Sequence, residues 1–140
     1  RKIINAKTVY IAARGTSKAV ALHLSHLLLT IGVKCILIDD YNLLPIISHQ
    51  VEEDELMILI SLSGETQKII DAAKAAKARN GHVVGISSFS HNSLSRIADI
   101  TLYSSATDTE TSVDDDISRL GFFIVTEILV NEVKHILNKK

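Results

Sequence analysis

The sequence predicts an α/β protein: a three-layer α/β/α sandwich around a five-stranded parallel sheet of order 2-1-3-4-5, flavodoxin-like in topology. Two observations carry this prediction. Short apolar runs alternate with helical segments along the 140 residues, and strand–helix–strand repeats give parallel neighbours joined by right-handed crossovers. The run 56–60 is apolar at every position, which is typical of a strand buried on both faces.

In the first half of the chain we predict two strands and two helices. The first strand covers residues 8–12, and a helix over 17–31 follows the turn that contains Gly15. Gly32 ends that helix, the second strand covers 33–38, and a weaker helical segment covers 43–51.

The second half continues the alternation. The third strand, 56–60, leads into a helix over 66–80 that is rich in Ala and Lys. We predict the remaining elements as a fourth strand, a short helix, a fifth strand and a long last helix, over residues 82–87, 93–98, 99–103 and 117–138.

Composition excludes several classes of protein. With 46% hydrophobic and 22% charged residues the chain is not intrinsically disordered, and its length suits one domain over residues 1–140. Fifteen basic and sixteen acidic residues give a net charge of -1, which argues against a nucleic-acid-binding segment. The lone Cys35 cannot form an internal disulfide.

The longest uncharged apolar stretch, 19–33, is about fifteen residues long, whereas a membrane span needs about 20. No signal peptide precedes it, so we expect a cytoplasmic module with no membrane partner. Because the chain lacks an initiator Met, we also expect it to be a piece of a longer protein.

The loop after the third strand has the composition of an anion site. It reads Ser61-Leu62-Ser63-Gly64-Glu65-Thr66 and leads directly into a helix. Gly64 permits a tight turn, the first helix amides lack partners, and the hydroxyls add uncharged donors. Simple helix capping by a hydroxyl is the alternative. We favour a phosphate site, because ligands of doubly wound sheets bind beyond the carboxyl ends of the strands.

The loop after the first strand, Arg14-Gly15-Thr16-Ser17, has the same features. Gly15 lies in the turn and Thr16 or Ser17 begins a helix, so we expect a second anion-binding helix end. If the strand order is 2-1-3-4-5, the two loops are neighbours and their hydroxyls converge on one pocket. Arg14 could be a phosphate partner or a solvated loop charge, and the sequence favours neither.

The two loops resemble those of the SIS (sugar isomerase) domain, whose pattern is Gly-x-Gly-x-Ser after strand one and Ser-x-Ser-Gly-x-Thr after strand three. The second pattern matches in full, and the first departs only at Ala13. The resemblance covers nearly the whole chain. It implies ligand contacts from Thr16, Ser17, Ser61, Ser63 and Thr66, with Gly15, Gly64 and Glu65 shaping the loops and offering amides.

The C-terminal part, with Glu110 and Ser118-Arg119-Leu120 before a long apolar helix, resembles RpiR-type transcriptional regulators. In that family an N-terminal helix-turn-helix domain, absent from this chain, is joined to a SIS domain that senses a sugar phosphate. The family often carries an Arg where Ser112 stands here, so one cationic contact is missing. The resemblance implies a phosphosugar-binding effector domain that contacts DNA only through the absent domain.

A phosphosugar aldose–ketose isomerase is the alternative function. That reaction needs a base beside a C–H next to a carbonyl, and Glu110 is the leading candidate because it lies in a predicted loop. Glu65 and the histidines have simpler structural roles as first-turn, packed or surface residues; those considered are His23, His26, His49, His82 and His91.

We expect neither a metal ion nor another cofactor. No His, Cys or Asp cluster has metal-ligand spacing, and no Ser-His-Asp triad is indicated. Asp114-Asp115-Asp116 fits the acidic flank of a helix N-terminus better than a cation cage.

The last predicted helix is apolar nearly all round, because Phe122-Phe123-Ile124-Val125 spans more than one face. One stripe covers the sheet and the rest needs another cover, either a deeper core or a second subunit. We expect a homodimer or a higher homo-oligomer, and a dimer would suit a regulator that binds a two-fold operator.

Overall fold

The structure, a computed structural model, describes residues 2–88, 91–104 and 115–139 of the chain. Five parallel strands form one sheet in the order β2-β1-β3-β4-β5, which confirms the predicted fold class and strand order. The strands are β1 Val9–Ala13, β2 Cys35–Leu37, β3 Leu56–Ile60, β4 His82–Ser87 and β5 Ile100–Tyr103. The helices are α1 Lys2–Asn5, α2 Ser17–Thr30, α3 Leu44–Ser48, α4 Gln67–Ala78, α5 Ser93–Ile97 and α6 Asp115–Asn138, with a 3₁₀ turn over Tyr41–Leu43 before α3.

Helices cover both faces of the sheet and produce two cores. Side chains of α1, α2 and α6 pack on one face, where Phe122 is fully buried against the strands. Helices α3, α4 and α5 cover the other face. The central strand β3 alternates between the two cores: Ile58 and Ile60 belong to the first, and Met57 and Leu59 to the second. Burial on both faces explains its continuous apolar run.

Several element boundaries shift by one to three residues from the sequence prediction, and three differences are informative. Helix α1 was not predicted, and Ile3 anchors it in the first core. Strand β2 is shorter than expected because it lies at the sheet edge, pairs on one side only and exposes Ile36. Helix α4 begins at Gln67, with Thr66 as its N-cap.

The register of the sheet positions the two predicted loops. Val9 pairs with Leu56 and Ala13 with Ile60, so β1 and β3 end level with each other at the carboxyl edge. The loops that follow these strands therefore begin about 5 Å apart, the spacing of neighbouring strands. Helix α2 then crosses to one face and α4 to the other, which leaves a crevice between their N-termini.

Helix α6 has a buried face and an exposed apolar face. Phe122, Val130 and Val133 lie in the first core, as the predicted sheet-covering stripe requires. The α6 stripe, which consists of Leu120, Ile124 and Ile128, is 59–60% exposed. The expected second subunit stays a prediction. Within the described ranges, no helix is both long and apolar enough to cross a membrane.

Asp99 links α4, β4 and β5 at the amino edge of the sheet. Its carboxylate accepts hydrogen bonds from Lys77 Nζ at 2.7 Å and from the Val83 amide at 2.8 Å. Burial by itself raises the pKa of Asp99, but the bonds from Lys77 and Val83 outweigh it and hold the pKa below its ordinary value.

A folded-state pKa below the unfolded value stabilises the protein above about pH 4, and this contribution is lost as the pH falls through the folded value. We therefore predict that Asp99→Asn lowers the free energy of unfolding by about 1 kcal/mol at pH 7. The difference from wild type should shrink as the pH is lowered below 4 in urea denaturation series. An equal loss of unfolding free energy at every pH would show that the negative charge of Asp99 does not contribute to stability.

Candidate functional site

The loop Ser61–Thr66 after β3 is held by its own hydroxyl groups. Ser61 Oγ accepts a hydrogen bond from the Gly64 amide at 3.0 Å and shares another with Thr66 Oγ1 at 2.9 Å. Ser63 Oγ accepts a bond from the Glu65 amide at 3.0 Å. Gly64 turns the chain with φ +72°, a left-handed conformation that favours glycine. The hydroxyls thus fix the loop in front of α4.

The N-terminus of α4 presents unpaired amides. Its first backbone bond runs from the Ile70 amide to the Thr66 carbonyl oxygen, and the Thr66 side chain makes no capping bond. Among the hydrogen bonds of residues 2–88, 91–104 and 115–139, none uses the amides of Thr66, Gln67 or Lys68. Donors of this kind, together with the partial positive charge of the helix end, favour an anion.

The loop after β1 is built differently from the one after β3. The amides of Ser17, Lys18 and Ala19 donate to the carbonyl oxygens of Arg14, Gly15 and Thr16 at 3.0–3.2 Å. The start of α2 is therefore closed by its own backbone, with Gly15 at φ +61°. The expectation that both helix ends offer free amides to an anion is wrong for α2, because these amides already donate to backbone carbonyl oxygens.

Thr16 and Ser17 nevertheless lie one strand away from the loop after β3, as predicted. The Thr16 side chain is exposed and makes no capping bond, whereas Ser17 is buried. In the other loop Ser63 is exposed, Thr66 is half-buried and Ser61 is buried. The carboxyl edge thus presents the hydroxyls of Ser63 and Thr66 before α4 and that of Thr16 at the start of α2.

Glu65 has a different position from the one predicted. It precedes α4 instead of lying in the first turn, and its carboxylate accepts bonds from Ser93 Oγ at 2.6 Å and the Ser93 amide at 2.7 Å. These two bonds, the side-chain one first, hold the pKa of Glu65 below its ordinary value. Glu65 therefore caps the start of α5.

The docking of α5 onto the loop is a feature that the sequence analysis missed. The Leu94 amide donates to the Gly64 carbonyl oxygen at 3.0 Å, and Asn92 packs directly against Gly64. Asn92 also forms a capping box with Ser95, and its Nδ2 donates to Ser87 Oγ at 2.9 Å. The Asn92-x-x-Ser95 spacing was the available signal for this cap.

The candidate bases for an isomerase are scattered. His82 opens β4 and therefore lies at the amino edge, and His49 Nδ1 is hydrogen-bonded to the Pro45 carbonyl oxygen at 2.6 Å. His91 precedes α5 at the carboxyl edge and is exposed. Glu110, like Ser112, lies outside the described residues. Within the described part of the chain, no group of three or more His, Cys, Asp or Glu residues could hold a metal ion.

Comparisons with known proteins converge on one family. The SIS-domain family model matches residues 2–124. An uncharacterized HTH-type transcriptional regulator of Clostridium perfringens, CPE0189, is 26% identical over 131 residues, which cover 94% of this chain and 47% of the relative. The isomerizing glutamine–fructose-6-phosphate aminotransferase of Pyrobaculum aerophilum is 33% identical over 111 residues, or 74% of this chain and 17% of that enzyme. This chain thus spans less than half the length of the curated relatives it matches.

Two solved structures have the same fold. The NanR protein of Vibrio vulnificus, complexed with ManNAc-6P, is 25% identical with a TM-score of 0.89 over 99% of this chain and 52% of its own. The sugar isomerase domain of the RpiR transcription factor from Sphaerobacter thermophilus is 24% identical with a TM-score of 0.80. The match covers 94% of this chain and 72% of that one.

The two loop glycines provide a matched pair of substitutions. A Cβ on Gly64 would fall 2.1 Å from Asn92 Cγ, whereas a Cβ on Gly15 would meet nothing within 4 Å. We predict that Gly15→Ala costs about 1 kcal/mol of unfolding free energy for the positive φ alone, and that Gly64→Ala costs about 2–4 kcal/mol. Chemical denaturation of both variants measures the difference. Equal costs would mean that Asn92 does not pack on the loop as described.

Proposed function

The chain belongs to the SIS-domain family, and from that premise we propose that it is the sugar-phosphate-binding effector domain of an RpiR-type transcriptional regulator. Its similarity to HTH-type regulators and to NanR with bound ManNAc-6P supports this role. In this proposal DNA contacts belong to a helix-turn-helix segment outside this chain, and the regulator acts in the cytoplasm. The near-neutral net charge of -1 agrees with that division.

The unpaired amides at the start of α4 are the observation that carries the proposal. They lie at the strand-order reversal between β1 and β3, where doubly wound sheets bind ligands. A phosphate monoester has several acceptor oxygens and no donor when it is fully ionised, so it matches a site made of amide and hydroxyl donors.

The hydroxyl groups of the Ser61–Thr66 loop have protons left for such a ligand. Ser61 and Thr66 share one hydrogen bond, so whichever hydroxyl donates it, the proton of the other remains free. Ser63 Oγ accepts a bond from the Glu65 amide and keeps its own proton. In the proposed complex the phosphate binds at Ser61, Ser63 and Thr66, with Gly64 holding the turn, and the sugar hydroxyls bind at Thr16 and Ser17 beside Gly15.

Regulation would follow from a difference in ligand affinity between two arrangements of a homodimer. The α6 stripe is the surface that we assign to the second subunit, because three large apolar side chains at helical spacing remain exposed there. Sedimentation equilibrium at micromolar concentration should give the mass of a dimer. A concentration-independent monomer would exclude this arrangement.

An isomerase remains the second candidate, favoured by the 33% identity to an isomerizing aminotransferase. Glu65 is poorly suited as the base, because a general base near neutral pH needs a raised pKa and that of Glu65 is lowered. Glu110 and the exposed His91 remain as candidate bases. Interconversion of aldose and ketose phosphates by the purified chain, abolished by Glu110→Gln or His91→Gln, would replace the effector role with catalysis.

We predict that one sugar phosphate in a thermal-shift panel, at about 100 times its dissociation constant, stabilises the chain by about 2.7 kcal/mol and raises the midpoint by about 5–10 °C. Thr66→Val should weaken that ligand about tenfold, because it removes a hydroxyl and keeps the side-chain shape.

Thr30→Val is the matched control, since Thr30 lies at the far end of α2 and its hydroxyl bonds only the Leu27 carbonyl oxygen among the described residues. It should leave ligand affinity unchanged. A panel without any stabilising sugar phosphate, or equal affinity in Thr66→Val and wild type, would contradict the proposed site.

A further inference from the structure

Two cationic side chains contact one tyrosine ring beside the proposed phosphate site. Arg14 Cζ lies 5.9 Å from the centre of the Tyr41 ring, and Lys68 Nζ lies 5.0 Å from it. Distances of this size permit cation–π attraction. We call Arg14, Tyr41 and Lys68 the Tyr41 cluster.

The three residues come from different segments that meet at the carboxyl edge. Arg14 directly follows β1, Tyr41 opens the 3₁₀ turn after β2, and Lys68 lies in the first turn of α4. Lys68 is also two residues beyond Thr66, and its own amide belongs to the unpaired group. The cluster therefore spans the crevice from the end of β1 to the start of α4.

The positive charges of the cluster have no carboxylate partner in the described structure. Arg14 and Lys68 are exposed, and neither is among its ion pairs, which join other residues such as Lys77 and Asp99. Asp71, one turn further along α4, accepts a hydrogen bond from Gln67 Nε2 at 2.8 Å. Two like charges around one ring repel each other, so an anion in the crevice would be attracted by both.

The tyrosine ring is a fixed support for these cations. Tyr41 is half-buried and packs against the second core. Its hydroxyl oxygen is buried and has no hydrogen-bond partner within the described ranges. The phenol is neutral near pH 7, and burial raises its pKa further. The ring, and not the hydroxyl, is therefore the part of Tyr41 that positions the cations.

We propose that Arg14 and Lys68, positioned by the Tyr41 ring, supply the positive charge that binds the dianionic phosphate group at the start of α4. The loop hydroxyls and amides are neutral donors, so the positive side-chain charge beside them comes from Arg14 and Lys68. The cluster thus makes the site selective for a phosphorylated ligand over its uncharged sugar. This inference rests on the proposed function; it assigns a role to Arg14, which the sequence left open, and adds Tyr41 and Lys68 from outside the loop motifs.

The test measures the dissociation constant of inorganic phosphate at pH 8, where the dianion predominates, by titration at 50 mM salt. Arg14→Gln and Lys68→Gln should each weaken binding about fivefold, and the double variant more than tenfold. Raising the salt to 300 mM should reduce the difference in phosphate dissociation constant between these variants and wild type. Lys74→Gln, the same charge change further along α4, should stay within twofold of wild type.

Two variants of Tyr41 separate the ring from the hydroxyl. Tyr41→Phe keeps the ring and should preserve phosphate affinity, whereas Tyr41→Leu should weaken it about fivefold by releasing both cations. Circular dichroism of each variant establishes that it is folded.

The outcomes also separate this inference from the proposed function. One outcome is that the double variant Arg14→Gln/Lys68→Gln binds phosphate within twofold of wild type while Thr66→Val no longer binds phosphate. In that case the Tyr41 cluster has no role in binding, and the proposed effector function stands. If wild type binds neither inorganic phosphate nor any sugar phosphate, both proposals are wrong.

Discussion

The unpaired amides at the start of α4 are the constraint on which the rest of the carboxyl edge depends. A helix end with free donors is costly unless water or a ligand satisfies it, so the surrounding structure must keep it accessible. Here Ser61 and Ser63 use their oxygens on the Gly64 and Glu65 amides, which shapes the loop without covering the helix end. The buried strand β3 fixes where this loop begins, because Ile60 at its end is fully buried.

The loop is held from outside as well as from within. Helix α5 docks on it through the Leu94 amide and the Glu65 carboxylate, and Asn92 fills the space that a side chain at position 64 would need. Gly64 is therefore required for its backbone conformation and for this close approach. The consequence is a preorganised donor set, which reduces the ordering cost of binding.

The fold could be predicted from the sequence, because the patterns that indicate its strands and helices lie within short segments of the chain. The continuous apolar run of β3, the alternation with helices and the crossover rule lead to the strand order and place the two loops together. Site details that depend on contacts between distant segments could not be predicted. Glu65 and Ser93 are 28 positions apart, and nothing in either local pattern pairs them.

The difference between the two loops could not be predicted from the sequence either. Both have a glycine and hydroxyl residues before a helix, yet the α2 amides bond to carbonyl oxygens three residues back, whereas those of α4 do not. Composition cannot distinguish these two backbone geometries, because both place a glycine at positive φ. The Tyr41 cluster was missed as well, since its members lie 27 residues apart or more on separate elements.

The most direct test of the α4 site is an amide NMR titration of the isotope-labelled chain with the stabilising sugar phosphate. We predict that the amide protons of Thr66, Gln67 and Lys68 shift downfield, because they gain a charged acceptor. The amides of Ser17 and Lys18 should move little, since they already donate to backbone carbonyls. Saturable shifts confined to α2, with the α4 amides unchanged, would rule out phosphate binding at the start of α4.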